Sequence, residues 1–159
     1  MATVKLFSNI SKGSAYRDGM DQFNKAMSNG YYIEAMAILE SMMSDRLCSV
    51  YYERNSKTGK FIATSNLNKD VCGKIITTEE CPEINDLYKK INDWLKKRNE
   101  AIHGVVKIKP DEKRSLSERY DEIHYHAEYG YDIFRELDKV VKKHKRLSQT
   151  NKHNNLLTT

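Results

Sequence analysis

Chain-breaking residues are scarce in this sequence, with 7 glycines and 2 prolines among 159 residues. Glycine supplies most left-handed turns and proline most stops, so a sandwich or barrel of many short strands lacks the reversals it needs. Long helices are what such a chain can form. The few breakers fall between apolar stripes of helical period. Tyr16, Met20, Phe23 and Met27 recur by threes and fours from Ala15 to Ser28, and Gly30 follows as a stop. From Tyr31 to Arg54 a second stripe of Tyr32, Met36, Leu39, Met43, Leu47 and Val50 is flanked by Ala35, Ile38 and Met42. A helix apolar around so much of its circumference is expected at the centre, touched from more than one side. The short Asn29-Gly30 break predicts an antiparallel hairpin of the two.

Residues 55–78 are less regular. Ser56 to Lys60 reads as a surface turn, Phe61 to Thr64 as extended chain, and Lys69 to Ile76 as a short helix. A fourth segment opens at Pro82, a residue favoured at the first helical position, and Glu83 adds a carboxylate at the positive end of the dipole. Its stripe is Ile84, Leu87, Tyr88, Ile91, Trp94, Leu95 and Ile102, and Gly104 ends it. Val105 to Pro110 break the period. The fifth and longest helix starts at a capping box, Ser115 with Glu118 three residues on. Its stripe is Leu116, Tyr120, Ile123, Ala127, Phe134, Leu137 and Val141. The expectation is an all-α, up-and-down bundle of four to five helices. One domain spans 1–147, with a small irregular insertion at 55–78 and a flexible polar tail at 148–159.

Lys and Arg number 27 against 22 Asp and Glu, a net charge of +5, which suits an anionic partner such as nucleic acid. Cys48, Cys72 and Cys81 are odd in number and irregularly spaced, which argues against a disulfide framework. Cys72 and Cys81 also lack the partner pair a zinc site needs. His124 and His126 stand two apart on a helix, about 200° around it, and do not chelate one metal together. The absence of a glycine-rich phosphate loop speaks against a nucleotide hydrolase. The opening apolar run is too short for a secretory leader and no window is long enough to cross a bilayer. The expected compartment is the cytoplasm, with no membrane partner, no metal and no cofactor.

One residue contradicts its pattern. Continued by threes and fours, the stripe of the fourth helix passes from Leu95 through position 98 to Ile102, and position 98 is Arg98. A guanidinium there costs several kcal/mol if dehydrated without partners. Three outcomes are consistent with such a residue: bent out along its stem, paired with a buried carboxylate, or lining a cleft that receives an anion. Asn99 and His103, four apart, share a face of the helix, and His103 sits in the last turn before Gly104. There the negative end of the dipole favours the protonated ring, while Lys96, Lys97 and Arg98 oppose it.

Arg98-Asn99-Glu100-Ala101-Ile102-His103 resembles the motif of the HEPN superfamily, an arginine and a histidine separated by four to six residues, often with a polar residue such as Asn directly after the arginine. Tyr32 to Ser41, continuing through Asp45-Arg46-Leu47, is similar to the long early helix of bacterial members. The resemblance covers Ala15 to Leu147 as architecture and Arg98 to His103 as a specific motif. It implies a metal-independent endoribonuclease, a toxin or phage-defence effector, that dimerises to form one composite active site. Arg98, Asn99 and His103 would be its catalytic residues, RNA its substrate, and an antitoxin or other regulator a further partner. The chemistry fits: histidine near its pKa exchanges protons, and arginine offers a planar fork to the phosphate oxygens.

Around this motif, Glu40, Asp45 and Arg46 are candidates to support it from the second helix. Lys97, Lys142, Lys143 and Arg146 are candidates to hold the RNA backbone, the last three within a cationic run that also contains Lys139, Lys145 and Lys152. That run equally suits a solvated helix end. Tyr125, Tyr129 and Tyr131 offer faces for base stacking, or for packing and a dimer seam. Two other functions compete. A non-catalytic HEPN-like module would bind RNA, a nucleotide or a partner protein, and a helical adaptor would dock another protein. Against any role for the motif stands the plain alternative in which Arg98 is an ordinary partner of Glu40 or Asp45, and His103 an ordinary helix-end residue.

Overall fold

Few breakers give long helices. The computed structural model describes the backbone of residues 2–55, 61–104, 111 and 113–157, and the side chains of 13–55, 61–104, 111 and 113–150. In chain order these form α1 (Ala2–Ser28), α2 (Tyr32–Arg54), α3 (Thr64–Asp70) running into a π-helical turn (Val71–Ile75), α4 (Ile84–Gly104) and α5 (Leu116–Leu157). No strand occurs among the described residues, and the architecture is an all-α helical bundle. Helix α1 begins well before Ala15, because one glycine, Gly13, costs a helix interior only about 1 kcal/mol. Helix α5 likewise runs past Leu147, where a flexible tail is expected, since no glycine or proline follows to stop it.

Gly30 makes the first reversal at φ 76°, a conformation that residues with a Cβ rarely adopt. The Tyr31 N–H donates to the Ala26 carbonyl at 2.8 Å and the Gly30 N–H to that of Met27 at 3.2 Å, a Schellman end that satisfies the last carbonyls of α1. The two helices then pack antiparallel. Gly19 faces Met42, and the Arg46 guanidinium stands 4.6 Å over the Tyr16 ring. Helix α2 is central as expected: Ala35, Met36, Leu39, Met43, Leu47 and Val50 are buried, and α1, α3, α4 and α5 all touch it.

Helix α4 starts at Ile84 rather than Pro82, because Pro82 and Glu83 form the turn before it, closed by the Ile84 N–H on the Cys81 carbonyl at 3.1 Å. The α4 stripe meets α5 in antiparallel register. Trp94 Nε1 donates to the His126 carbonyl at 2.8 Å, and Lys90 bridges Asp86 at 2.8 Å and Glu136 at 3.2 Å. Gly130 is required at this crossing, since a Cβ there would be driven into the Trp94 indole. On α5, Ile123, Ala127, Phe134, Leu137 and Val141 are buried as expected, but Leu116 and Tyr120 are exposed. At that end the neighbours are the α1–α2 turn and the first residue of α2. Tyr120 donates its hydroxyl to the Gly30 carbonyl at 2.7 Å and tilts against Tyr32.

The insertion is more helical than expected. Helix α3 begins at Thr64, within the stretch read as extended, while the surface turn expected at Ser56 to Lys60 lies outside the described residues. Asn68, fully buried, ties α3 to α4 by donating to the Tyr88 carbonyl at 3.0 Å and to Asn92 Oδ1 at 3.1 Å. Leu67, Val71 and Cys72 join the core beside it, and burial pushes the Cys72 thiol up to about 12.

Candidate functional site

The position that breaks the α4 stripe lies in a corner of three helices. Arg98 Nη2 stands 2.5 Å from Glu40 Oε2 on α2, and Arg98 Nη1 donates to Asn99 Oδ1 at 2.9 Å. The other Glu40 oxygen accepts from Thr64 Oγ1, at the start of α3, at 3.3 Å. Both charged side chains are about three-quarters covered, 23% and 22% exposed. Of the three outcomes open to a cation on an apolar stripe, pairing with a carboxylate is the one the fold adopts. The guanidinium is fixed on both terminal nitrogens, and its Nε is covered without a hydrogen bond. A charge held this way is oriented before any substrate arrives, and removing Glu40 would leave it uncompensated.

His103 lies five residues on, about 140° around the axis and about 7.5 Å along it. Its ring is exposed, and no hydrogen bond or ion pair to another described residue engages it. Next to it, the Gly104 carbonyl at the negative end of α4 accepts from Arg119 Nη1 at 3.2 Å. Arg119 does not stand out in the sequence, although one signal marks it. The capping box forms as read, with the Ser115 N–H on Glu118 Oε2 at 2.7 Å and the Glu118 N–H on Ser115 Oγ at 3.1 Å. It fixes Arg119 in the first turn of α5, where the dipole disfavours a cation. The compensation comes from the facing end of α4. Arg98, Asn99, His103 and Arg119 thus gather at one end of the bundle.

The remaining candidates lie elsewhere. Arg46 turns to Asp138 of α5 at 2.8 Å and not to Arg98, and Asp45 is exposed without reaching it, so Glu40 alone of the three supports the motif. Lys97 lies near the motif and pairs with Glu100 at 3.4 Å. Lys142, Lys143 and Arg146 are at the opposite end of α5, about 25 Å from the level of Arg98 by the rise per residue. Lys142 is bound there to Asp138 at 2.6 Å, while Lys143 and Arg146 are exposed. The one expected set of RNA contacts is therefore split between two ends. A shallow cleft of about 190 Å³ at that far end, lined by Val50, Glu53, Arg54, Ile75, His144 and Ser148, is smaller than the roughly 300–1,000 Å³ of ordinary small-molecule sites.

Of the tyrosines, Tyr131 stacks on Phe23 inside the bundle and Tyr129 packs against the core. Tyr125 is exposed, as are Tyr31, Leu116 and Tyr120, all at the end that carries His103. His124 lies flat on Tyr32 with centroids 4.3 Å apart, and His126 points to Glu122 at 3.5 Å. No three of His, Cys, Asp and Glu converge as metal ligands among the described residues, and no helix there is long and apolar enough to cross a membrane. Compared with known proteins, the chain matches no family model, no curated protein and no solved structure.

Proposed function

We propose that the protein is a HEPN-type, metal-independent endoribonuclease, acting as a toxin or phage-defence effector in the cytoplasm. The observation that carries this reading is the Glu40–Arg98–Asn99 arrangement about one helical turn from His103, which no described residue engages, at the end of a helix in an all-α bundle. Each part has a task. His103 takes the proton from a 2′-hydroxyl as its oxygen attacks the adjacent phosphorus. Arg98, oriented by Glu40, stabilises charge on the non-bridging oxygens, and Asn99 positions Arg98. The bond to the 5′-oxygen breaks, and that oxygen takes a proton from a second histidine. The products are a 2′,3′-cyclic phosphate and a 5′-hydroxyl. A homodimer supplies the second His103 in a composite site, and an antitoxin or other regulator restrains it.

The test is incubation of the purified chain with total RNA in EDTA, with DNA as control. Cleavage leaving cyclic phosphate ends is expected, DNA remaining intact for want of a 2′-hydroxyl. His103→Ala and Arg98→Ala should each lower the rate about 10²–10⁴-fold. No cleavage by the wild type, or variants as active as it, would sink the reading.

The Arg98–Glu40 ion pair itself favours a second reading. With its charge compensated, Arg98 has a purely structural task, and the domain is a non-catalytic HEPN-like module that binds RNA, a nucleotide or a partner protein. Salt-dependent RNA binding without cleavage selects it.

A further inference from the structure

The cations at the α4–α5 junction differ in what they have left to offer. Arg98 is committed on both terminal nitrogens, to Glu40 and to Asn99, and its charge is balanced by a carboxylate. Arg114 is likewise paired, with Glu122. Arg119 is half-buried, makes no ion pair to a described residue, and uses Nη1 on the Gly104 carbonyl while its Nε is covered and unbonded. That single bond pins its guanidinium beside the residue next to His103. The first turn of α5 adds the positive end of a helix dipole at the same place. Among the described residues the half-buried cation of this end that lacks an ion pair is therefore Arg119, across the junction and beside the residue next to His103, and not Arg98.

We infer that Arg119 is a second phosphate-binding arginine of the site. Its other terminal nitrogen, bonded to no described residue, and the His103 ring flank one backbone phosphate of single-stranded RNA, adding to Arg98 a guanidinium that no described carboxylate compensates. The inference rests on the RNA reading above for its ligand class, and it adds a residue from a different helix, outside the Arg98–His103 motif. The bond to Gly104 makes Arg119 preorganised: the anion meets a guanidinium already held in place and still carrying its full charge.

The experiment measures binding of a fluorescently labelled 2′-O-methyl oligoribonucleotide, which cannot be cleaved, by anisotropy across a salt series. Cleavage of the unmodified strand is followed in parallel. Arg119→Gln keeps an amide donor for the Gly104 carbonyl and removes the charge. It should weaken binding about tenfold and lower the slope of log affinity against log salt by about 0.7, the loss of one phosphate contact on a single strand. Arg119→Lys should keep the slope. Melting temperatures of both variants report whether the junction remains folded, and Lys89→Ala, an exposed lysine near the start of α4, serves as a charge-matched control with a wild-type slope. An Arg119→Gln protein with wild-type affinity and slope overturns the inference, even if the wild type cleaves RNA. A wild type that binds through Arg119 but cleaves nothing removes the ribonuclease reading and leaves the phosphate site standing. A wild type that does not bind the oligonucleotide overturns the site.

Discussion

At the far end of α5, Lys142 lies 2.6 Å from Asp138, Lys145 3.2 Å from Glu53, and His144 3.1 Å from Glu80. At its near end, Arg119 reaches a backbone carbonyl, and His103 beside it is bound to no described residue. In sequence the far end is much the more basic, with Lys139, Lys142, Lys143, Lys145 and Arg146 in eight positions. In space carboxylates from α2, from the turn before α4 and from α5 itself temper it. The near end sets one half-buried arginine, Arg119, without an ion pair to a described residue beside an exposed histidine and exposed aromatic rings, whereas the far-end cations without one, Lys139, Lys143 and Arg146, are exposed. What attracts an anion to a defined place is uncompensated charge held in a fixed position, as the Gly104 carbonyl holds Arg119, and a count of lysines does not report that.

The sharpest way to break this comparison is kinetic. Under the proposed reaction, His103→Ala lowers RNA cleavage about 10²–10⁴-fold. The pair Lys143→Ala and Arg146→Ala at the far end leaves it within about twofold, the effect of roughly 0.5 kcal/mol. A far-end pair as damaging as His103→Ala would reverse the assignment of the two ends. The core they share is tested by alkali. Burial moves the Cys72 thiol from 9.0 to about 12. Below pH 9 the thiol is protonated in both states, so it changes nothing. Above pH 9 the unfolded chain ionises first, and folding stability falls by up to about 4 kcal/mol as pH approaches 12, at ~1.4 kcal/mol per unit. Urea titrations at pH 8 and 10.5 should show the loss, and Cys72→Val should flatten it.

Much of this is legible in the sequence. The long apolar stripes gave α2, α4 and α5, and the Asn29-Gly30 break gave the reversal, because helical period and a left-handed glycine are local properties. Arg98 was conspicuous for the same reason, as a charge on a stripe, and Glu40 is one of the two carboxylates its position invited. Arg119 was not conspicuous, since its value depends on the end of another helix 15 residues earlier in the chain. Nor were the contacts of Lys145 with Glu53 and of His144 with Glu80, whose carboxylates come from distant segments. The Asp138–Lys142 pair was within reach, being an i,i+4 pair on one helix. The split of the expected RNA contacts between two ends follows from the antiparallel register of α4 and α5, set by Trp94 against His126 and Gly130, which no stripe specifies.

That register is itself open to attack. Gly130→Ala should cost about 3 kcal/mol in a denaturant titration, because the methyl displaces the Trp94 indole and strains its bond to the His126 carbonyl. Gly73→Ala, with nothing near its Cβ, should change stability by less than about 1 kcal/mol.

The smallest predicted effects separate the ends by how their ion pairs are embedded. Glu40→Gln removes the carboxylate that balances Arg98 in a corner about three-quarters covered on both sides. A partly buried charge left unpaired should cost about 2 kcal/mol, below the 3–5 of a fully buried pair. Glu53→Gln removes the partner of Lys145 at a site where both side chains reach solvent, 45% and 32% exposed, and the ammonium turns to water at a cost of about 0.5 kcal/mol. Added salt should shrink the second difference and barely alter the first, because mobile ions screen exposed pairs far better than covered ones. Equal costs for the two variants at both salt concentrations would mean that the Arg98 corner is no more embedded than the lysine end, and the distinction between the ends would lose its physical basis.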